Sequence, residues 1–346
     1  MRLAIVNDNV KAIETLRHIV ISTNEHKVLW TATSGAEALT RCRDLKPDLI
    51  LMDLVMPVMD GVEATRKIMQ QSICPILIVT SFIDGNTDKV IKAVSAGAFD
   101  AVNIPLSGSV DEEHDKNALL RKIKMINNFV NPKKTKLPLN SLSTVKSSPT
   151  NNDFLVVIGA SSGGPQALSK VLAALPESFS APVVIIQHLD AHFAPKLVSW
   201  LNSQMKLKTQ LVEAGDRLQG GRIYIAGTND HLIISKDHRL AYDRNPADIP
   251  YRPSIDVFFE SVVKYWRGKV LGVLLTGMGR DGAKGLLQLR ERGEHTIAQN
   301  QATCAVYGMP KAAAELNAAE QILPLDKIGP AIVNLVTDHL MISNAT

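Results

Sequence analysis

Ser161, His188 and Asp281 are the residues of this sequence best suited to act together as a hydrolytic centre. Ser161 stands in Gly159–Ala160–Ser161–Ser162–Gly163–Gly164–Pro165, directly after the apolar run Leu155–Val156–Val157–Ile158. His188 follows Val183–Val184–Ile185–Ile186–Gln187, and Asp281 lies in Thr276–Gly277–Met278–Gly279–Arg280–Asp281–Gly282 after Val270–Leu275. A serine hydroxyl becomes a nucleophile when a nearby imidazole takes its proton, and a carboxylate then fixes the tautomer and stabilises the imidazolium. His188 suits the base because an imidazole titrates near neutrality. His192 is the nearest competitor.

Other readings of the same residues deserve comparison. The Gly-rich turn at Ser161 also suits a phosphate cradle or a plain strand-to-helix turn. Gly159, Ser161 and Gly163 match the G-x-S-x-G elbow of α/β-hydrolases, but those enzymes run Ser…Asp…His, whereas this chain runs Ser…His…Asp. Gly277-x-Gly279-x-x-Gly282 matches a dinucleotide fingerprint, yet it closes a βα series rather than opening a domain.

A second group of reactive residues precedes the first. Asn7 and Asp8 follow the apolar run Leu3–Val6, Asp53 follows Leu49–Met52, and Thr80 and Ser81 follow Ile76–Val79. Carboxylates converging from two strand ends suit a hard divalent cation such as Mg²⁺. One of them could accept a phosphoryl group, with the metal neutralising the developing charge and Thr80 bonding a phosphate oxygen.

Both groups need parallel strands to position them. Over the first 130 residues, short apolar strands alternate with amphipathic helices through five βα units, which predicts a doubly wound parallel sheet with ligands at its C-terminal edge. After residue 152 the alternation resumes: Leu155–Ile158, a helix from Pro165, Val183–Gln187, a helix from Ala194, a β-rich stretch from Leu211 to Tyr242, a helix from Ser254, then Val270–Thr276 and a helix after Asp281. The prediction is an α/β chain with two mainly parallel sheets: domain 1–130, linker 131–152 and domain 153–346. Pro165 suits the first position of a helix, so Ser161 is expected exposed on a tight turn, with free N–H groups of the helix start aimed at any oxyanion formed there.

Composition narrows the function classes. A hydrophobic content of 45% with 21% charged residues belongs to a folded soluble protein. No apolar run approaches the roughly 20 residues of a membrane span, and Met1–Val6 runs straight into a strand, so a cytoplasmic protein without membrane insertion is expected. Cys42, Cys74 and Cys304 are scattered and read as buried free thiols. The net charge of +4 is matched by Lys133, Lys134, Lys136 and Lys146, in a segment without acids. The folded parts are therefore near neutral, which argues against a nucleic-acid partner. The same segment, rich in Ser, Pro, Lys and Asn, reads as a solvated tether that keeps two domains at high effective concentration.

The first domain resembles the receiver domain of response regulators at Asn7–Asp8, Met52–Asp53–Leu54–Val55–Met56–Pro57, Asp60–Gly61, Val79–Thr80–Ser81 and Gly97–Ala98–Phe99–Asp100. The resemblance implies that Asp53 is the phosphoacceptor, that Asp8, Asp53 and the Val55 backbone carbonyl hold Mg²⁺, and that Thr80 contacts the phosphate. Two positions depart from the pattern: Asn7 replaces a second acid, and Ile104 replaces the lysine before Pro105. The second domain resembles the catalytic domain of the CheB family, chemotaxis protein-glutamate methylesterases, at Gly159–Gly164, Gln187–His188 and Leu275–Ala283. That resemblance implies a phosphorylation-activated serine esterase, needing no cofactor of its own, that hydrolyses glutamyl 5-O-methyl esters on methyl-accepting chemoreceptors and often deamidates their glutamines. A sensor histidine kinase of the CheA kind would supply the phosphoryl group. Asn7, Ile104 and the stretch Ala101–Pro105 resemble the Wsp-type (WspF) subgroup, which serves surface sensing.

Two other functions use the same features. A receiver-gated esterase for small molecules would share the triad, and methanol release from methylated receptor separates the two. A non-catalytic docking partner would not need Ser161, His188 and Asp281 intact.

Overall fold

The computed structural model describes residues 1–71, 74–81, 87–105, 108, 112–130, 154–247, 249 and 251–344. The expected linker, 131–152, lies outside the described residues. In the N-terminal domain, strands β1 (Arg2–Val6), β2 (Lys27–Ala32), β3 (Leu49–Met52), β4 (Ile76–Thr80) and β5 (Asp100–Asn103) alternate with helices α1 (Val10–Ser22), α2 (Gly35–Asp44), α3 (Gly61–Gln71), α4 (Thr87–Ser95) and α5 (Glu112–Val130). The strands form one parallel sheet in the order β2-β1-β3-β4-β5. Every residue of β3 and β4 is buried, as unbroken apolar runs require when helices cover both faces. Polar strand ends then stay at the one edge that the helices leave open.

The C-terminal domain starts with β6 (Phe154–Ala160) and α6 (Gly164–Ala173), followed by β7 (Val183–Gln187), α7 (Ala194–Asn202), β8 (Lys208–Leu211), β9 (Arg222–Ile225), β10 (His231–Ile234) and β11 (Leu240–Asp243). Helix α8 (Ile255–Tyr265), β12 (Lys269–Leu274), α9 (Ala283–Glu291), β13 (His295–Gln299), α10 (Met309–Glu315), β14 (Gln321–Leu323) and α11 (Leu325–Asn344) complete it. A seven-stranded parallel sheet runs β14-β13-β12-β6-β7-β9-β8. The β-rich stretch contributes β9 to this sheet and a separate antiparallel pair, β10–β11. The chain leaves β6 toward β7 on one side and later returns to β12 on the other. That reversal opens a crevice at the C-terminal ends of β12, β6 and β7.

The two domains touch at this crevice. Helix α4 of the first domain packs on α6 and α7 of the second. Ser161 is fully buried rather than exposed as expected: the loop after β12 packs against its turn, with the Ser161 N–H donating to the Thr276 carbonyl. Cys42 and Cys74 are buried as expected, whereas Cys304 is only half-buried.

Candidate active site

β6 ends at Ala160, and the chain turns through Ser161–Gly163 into α6. Gly163 has φ +78°, which glycine alone adopts at no steric cost, and a Cβ there would lie 2.5 Å from that of Ala305. The Ser161 N–H donates to the Thr276 carbonyl at 3.1 Å, tying the serine turn to the loop after β12. The Thr276 hydroxyl in turn donates to the Ser162 and Val306 carbonyls. A Cβ on Gly277 would fall 2.8 Å from the Ser161 Cβ, so the loop passes this close only because residue 277 has none.

His188 follows β7, and its Nε2 lies 2.8 Å from Asp281 Oδ2. Asp281 sits at the start of α8: Ser254 Oγ donates to Oδ1 at 2.8 Å, the Ile255 N–H to Oδ2 at 2.7 Å, and the Asp256 N–H to Oδ1 at 3.1 Å. Burial opposes the negative charge, but the bonds from His188, Ile255 and Ser254 outweigh it and hold the carboxyl below its usual range. An ionised carboxylate only accepts, so Nε2 carries the imidazole proton and Nδ1 holds the basic lone pair. Both Nδ1 and Ser161 Oγ are buried and make no hydrogen bond among the described residues. The predicted Ser, His and Asp thus follow three neighbouring strands, with His188 bonded to Asp281 and with His188 Nδ1 and Ser161 Oγ both unengaged among the described residues. His192, the competing histidine, is exposed on the following 3₁₀ turn.

Three further residues of this site have contacts that the sequence does not reveal, although Gln187 falls in a motif of the resemblance. Gln187 donates from Nε2 to the carbonyls of both Ser161 and His188, at 3.0 and 3.1 Å. The Tyr251 ring stacks on His188 with centroids 4.8 Å apart and planes 3° from parallel. Ser254 is legible only as an N-cap, not as a partner of Asp281. The helix-start donors are also partly spoken for: the Gly163 N–H donates to the carbonyl of Val94, in α4 of the other domain, at 2.9 Å.

The second predicted site lies at the C-terminal edge of the first sheet. Asp53 is 9% exposed and accepts the Leu54 N–H at 2.7 Å. Burial pushes its carboxyl up to about 6; bonds from Leu54, Val55 and Thr80 pull against that rise, and the charge of Asp8 adds to it. A divalent cation would relieve both the desolvation and the repulsion. No group of three acidic, His or Cys side chains forms a cage among the described residues. Two carboxylates and the Val55 main-chain carbonyl still fit Mg²⁺, which keeps several waters and needs few protein ligands. Asn7 is buried with its Oδ1 accepting the Asn9 N–H at 2.8 Å. Thr80 is buried, and Ile104, 3% exposed, packs into the core while its N–H donates to the Thr80 carbonyl.

Comparison with known proteins identifies both domains. A model of the CheB methylesterase family matches residues 156–332, and one of the response regulator receiver domain matches residues 3–109. A protein-glutamate methylesterase/protein-glutamine glutaminase of Mesorhizobium japonicum is 49% identical over 96% of this chain and 98% of its own. One from Pseudomonas aeruginosa is 48% identical over 97% and 99%. The crystal structure of the Thermotoga maritima CheB methylesterase catalytic domain aligns with 53% of this chain and 98% of its own, at 33% identity and a TM-score of 0.51. The chain therefore belongs to the CheB methylesterase family, with a response regulator receiver domain ahead of its catalytic domain.

Proposed function

We propose that Ser161, His188 and Asp281 carry the protein-glutamate methylesterase and protein-glutamine glutaminase activity of this response regulator. The observation that carries the proposal is the His188–Asp281 bond at 2.8 Å, with Nδ1 and Ser161 Oγ left unengaged at neighbouring strand ends. Ser161 Oγ attacks the γ-carbonyl of a glutamyl 5-O-methyl ester while His188 Nδ1 takes its proton. The proton passes to the departing methoxide, methanol leaves, and an acyl-enzyme remains. Water then gives a proton to Nδ1 and its oxygen to the acyl carbon, and breaking of the ester bond restores the Ser161 hydroxyl and releases glutamate. With a glutamine substrate the first leaving group is ammonia. Asp281 holds the tautomer throughout and stabilises the imidazolium.

The substrate is a methyl-accepting chemoreceptor, reached from the cytoplasm. The domain limits are 1–130, 131–152 and 153–346. Asp53 accepts a phosphoryl group from a sensor histidine kinase, Asp8, Asp53 and the Val55 carbonyl would hold Mg²⁺, and Thr80 would contact the phosphate. When bound there, Mg²⁺ would supply charge neutralisation at the phosphoryl oxygens. The contact between the Val94 carbonyl and the Gly163 N–H supports inhibition by the receiver, which holds the turn that carries Ser161 until phosphorylation shifts the domain equilibrium.

Methanol release from methylated receptor tests the reading. Ser161→Ala should fold normally and lose several orders of magnitude of rate, because removal of a triad nucleophile typically has that effect. Near-normal release by a folded Ser161→Ala protein would refute the nucleophile assignment.

A further inference from the structure

We propose that Tyr251 is a positioning residue for the hydrolytic reaction: its ring fixes the plane of the His188 imidazole and stabilises the imidazolium formed in each half-reaction. This rests on His188 being the base. An imidazole on a two-bond stem is not fixed by one hydrogen bond, since the Asp281 contact at Nε2 still permits the ring to rotate about that bond and swing Nδ1 away from Ser161. A flat surface against its face removes this freedom. Tyr251, 9% exposed and parallel within 3°, supplies that surface. The ring face carries the negative lobe of the aromatic quadrupole, so it also attracts the charge that appears on His188 when Ser161 gives up its proton.

The surroundings leave this role to Tyr251. Asp281 meets the imidazole edge at Nε2, and the hydroxyl of Ser161 stands at the neighbouring strand end. Behind Asp281, the Asp256 side chain accepts the Gly285 N–H, and His231 accepts the Ser254 N–H while its Nε2 lies 3.2 Å from the Pro246 carbonyl. Arg252 donates to the Ala247 carbonyl and Arg280 pairs with Glu315. On the loop beyond His188, Asp190 faces Lys122 and His192 is exposed. Each of these groups has its own partner or is exposed, and the Tyr251 ring lies on the imidazole face.

The test uses the full-length protein with acetyl phosphate and methylated receptor, and reads kcat, KM and the acid limb of kcat/KM against pH. Tyr251→Phe keeps the ring and should behave like the parent. Tyr251→Leu should lower kcat about 3- to 30-fold at unchanged KM. It should also move the acid limb down by about 0.5–1.5 pH units, since the protonated base loses its stabilising face. Tyr251→pentafluorophenylalanine keeps the shape and reverses the quadrupole, so its limb should also move down relative to Tyr251→Phe. If Tyr251→Leu does not fold, the Phe and pentafluorophenylalanine pair decides. A parental limb in the pentafluoro and Leu proteins would overturn the proposal, because a residue that merely fills space changes thermal stability and not the titration of His188. His188→Gln is the control: an active His188→Gln protein refutes the base assignment, whereas an inactive one beside unmoved limbs refutes only the role of Tyr251.

Discussion

Replacing Asp190 with asparagine should raise the unstimulated rate of the full-length protein. Lys122, in α5 of the receiver, ion-pairs closely with Asp100 of its own domain and lies 3.7 Å from Asp190 Oδ2 in the catalytic domain. At that separation two unit charges attract by roughly 4 kcal/mol at an effective dielectric of about 20, before lost hydration is counted. The Asp190 side chain keeps 30% of its surface accessible, and pairs of this kind retain a net value near the upper end of about 0.2–1 kcal/mol. Taking about 1 kcal/mol as the loss, the open fraction rises about fivefold. Asparagine still has an oxygen for the His192 N–H, which Asp190 accepts at 3.1 Å, so the loop beyond His188 keeps its cap. Burial opposes the Asp190 charge, but Lys122 and the bonds from His192 and Asn229 prevail and hold the carboxyl below its usual range. The contact is therefore fully charged above the ordinary carboxylate pKa of about 4 and weakens only as pH falls through the lower, docked value. Methanol release at neutral pH, with and without acetyl phosphate, reads the effect: a basal rate up about fivefold and an unchanged stimulated rate. Added salt should raise the parental basal rate more than that of Asp190→Asn. A folded Asp190→Asn protein with the parental basal rate would show that this ion pair does not hold the domains together.

Two further substitutions probe each site from behind. Ser254→Ala removes a 2.8 Å bond to Asp281 and the cap at Val257 N–H; because His188, Ile255 and Asp256 still hold the carboxylate, kcat should fall about tenfold rather than vanish, with a loss of about 1–3 kcal/mol in stability by thermal denaturation. An unchanged kcat would remove Ser254 from the proton-transfer machinery. Ile104→Lys restores a cation able to pair with a phosphoryl group on Asp53 and should enlarge the ratio of stimulated to basal methanol release, at the expense of about 1–3 kcal/mol in receiver stability because Ile104 is buried. A ratio equal to the parent's would show that the missing lysine does not limit signalling.

The sheets were legible because their strands are uninterrupted apolar runs that stop at polar residues. Those stopping points are where both sets of candidate residues were found. Ser161, His188 and Asp281 could be grouped from chain order and strand ends, although only the strand order β12-β6-β7 makes them neighbours. What supports them was not legible. Tyr251 belongs to no periodic segment, and Ser254 reads as an ordinary helix cap whose hydroxyl has a second partner only in three dimensions. The burial of Ser161 comes from distant chain segments such as the loop at Thr276, which the sequence around it does not mention, and Lys122 and Asp190 are two surface-type charges until docking brings them together.

Among the described residues the receiver is hydrogen-bonded to the nucleophile turn through the main-chain oxygen of Val94. Every residue except one that deforms the helix presents the same oxygen, so alanine scanning along α4 would pass over this contact without registering it. Related chains are free to change the outer residues of α4 while keeping the bond, and the restraint falls on where the helix sits instead of on what it is made of. A backbone change would expose it: replacing the peptide bond before Gly163 with an ester removes that single N–H and leaves every side chain of both domains in place.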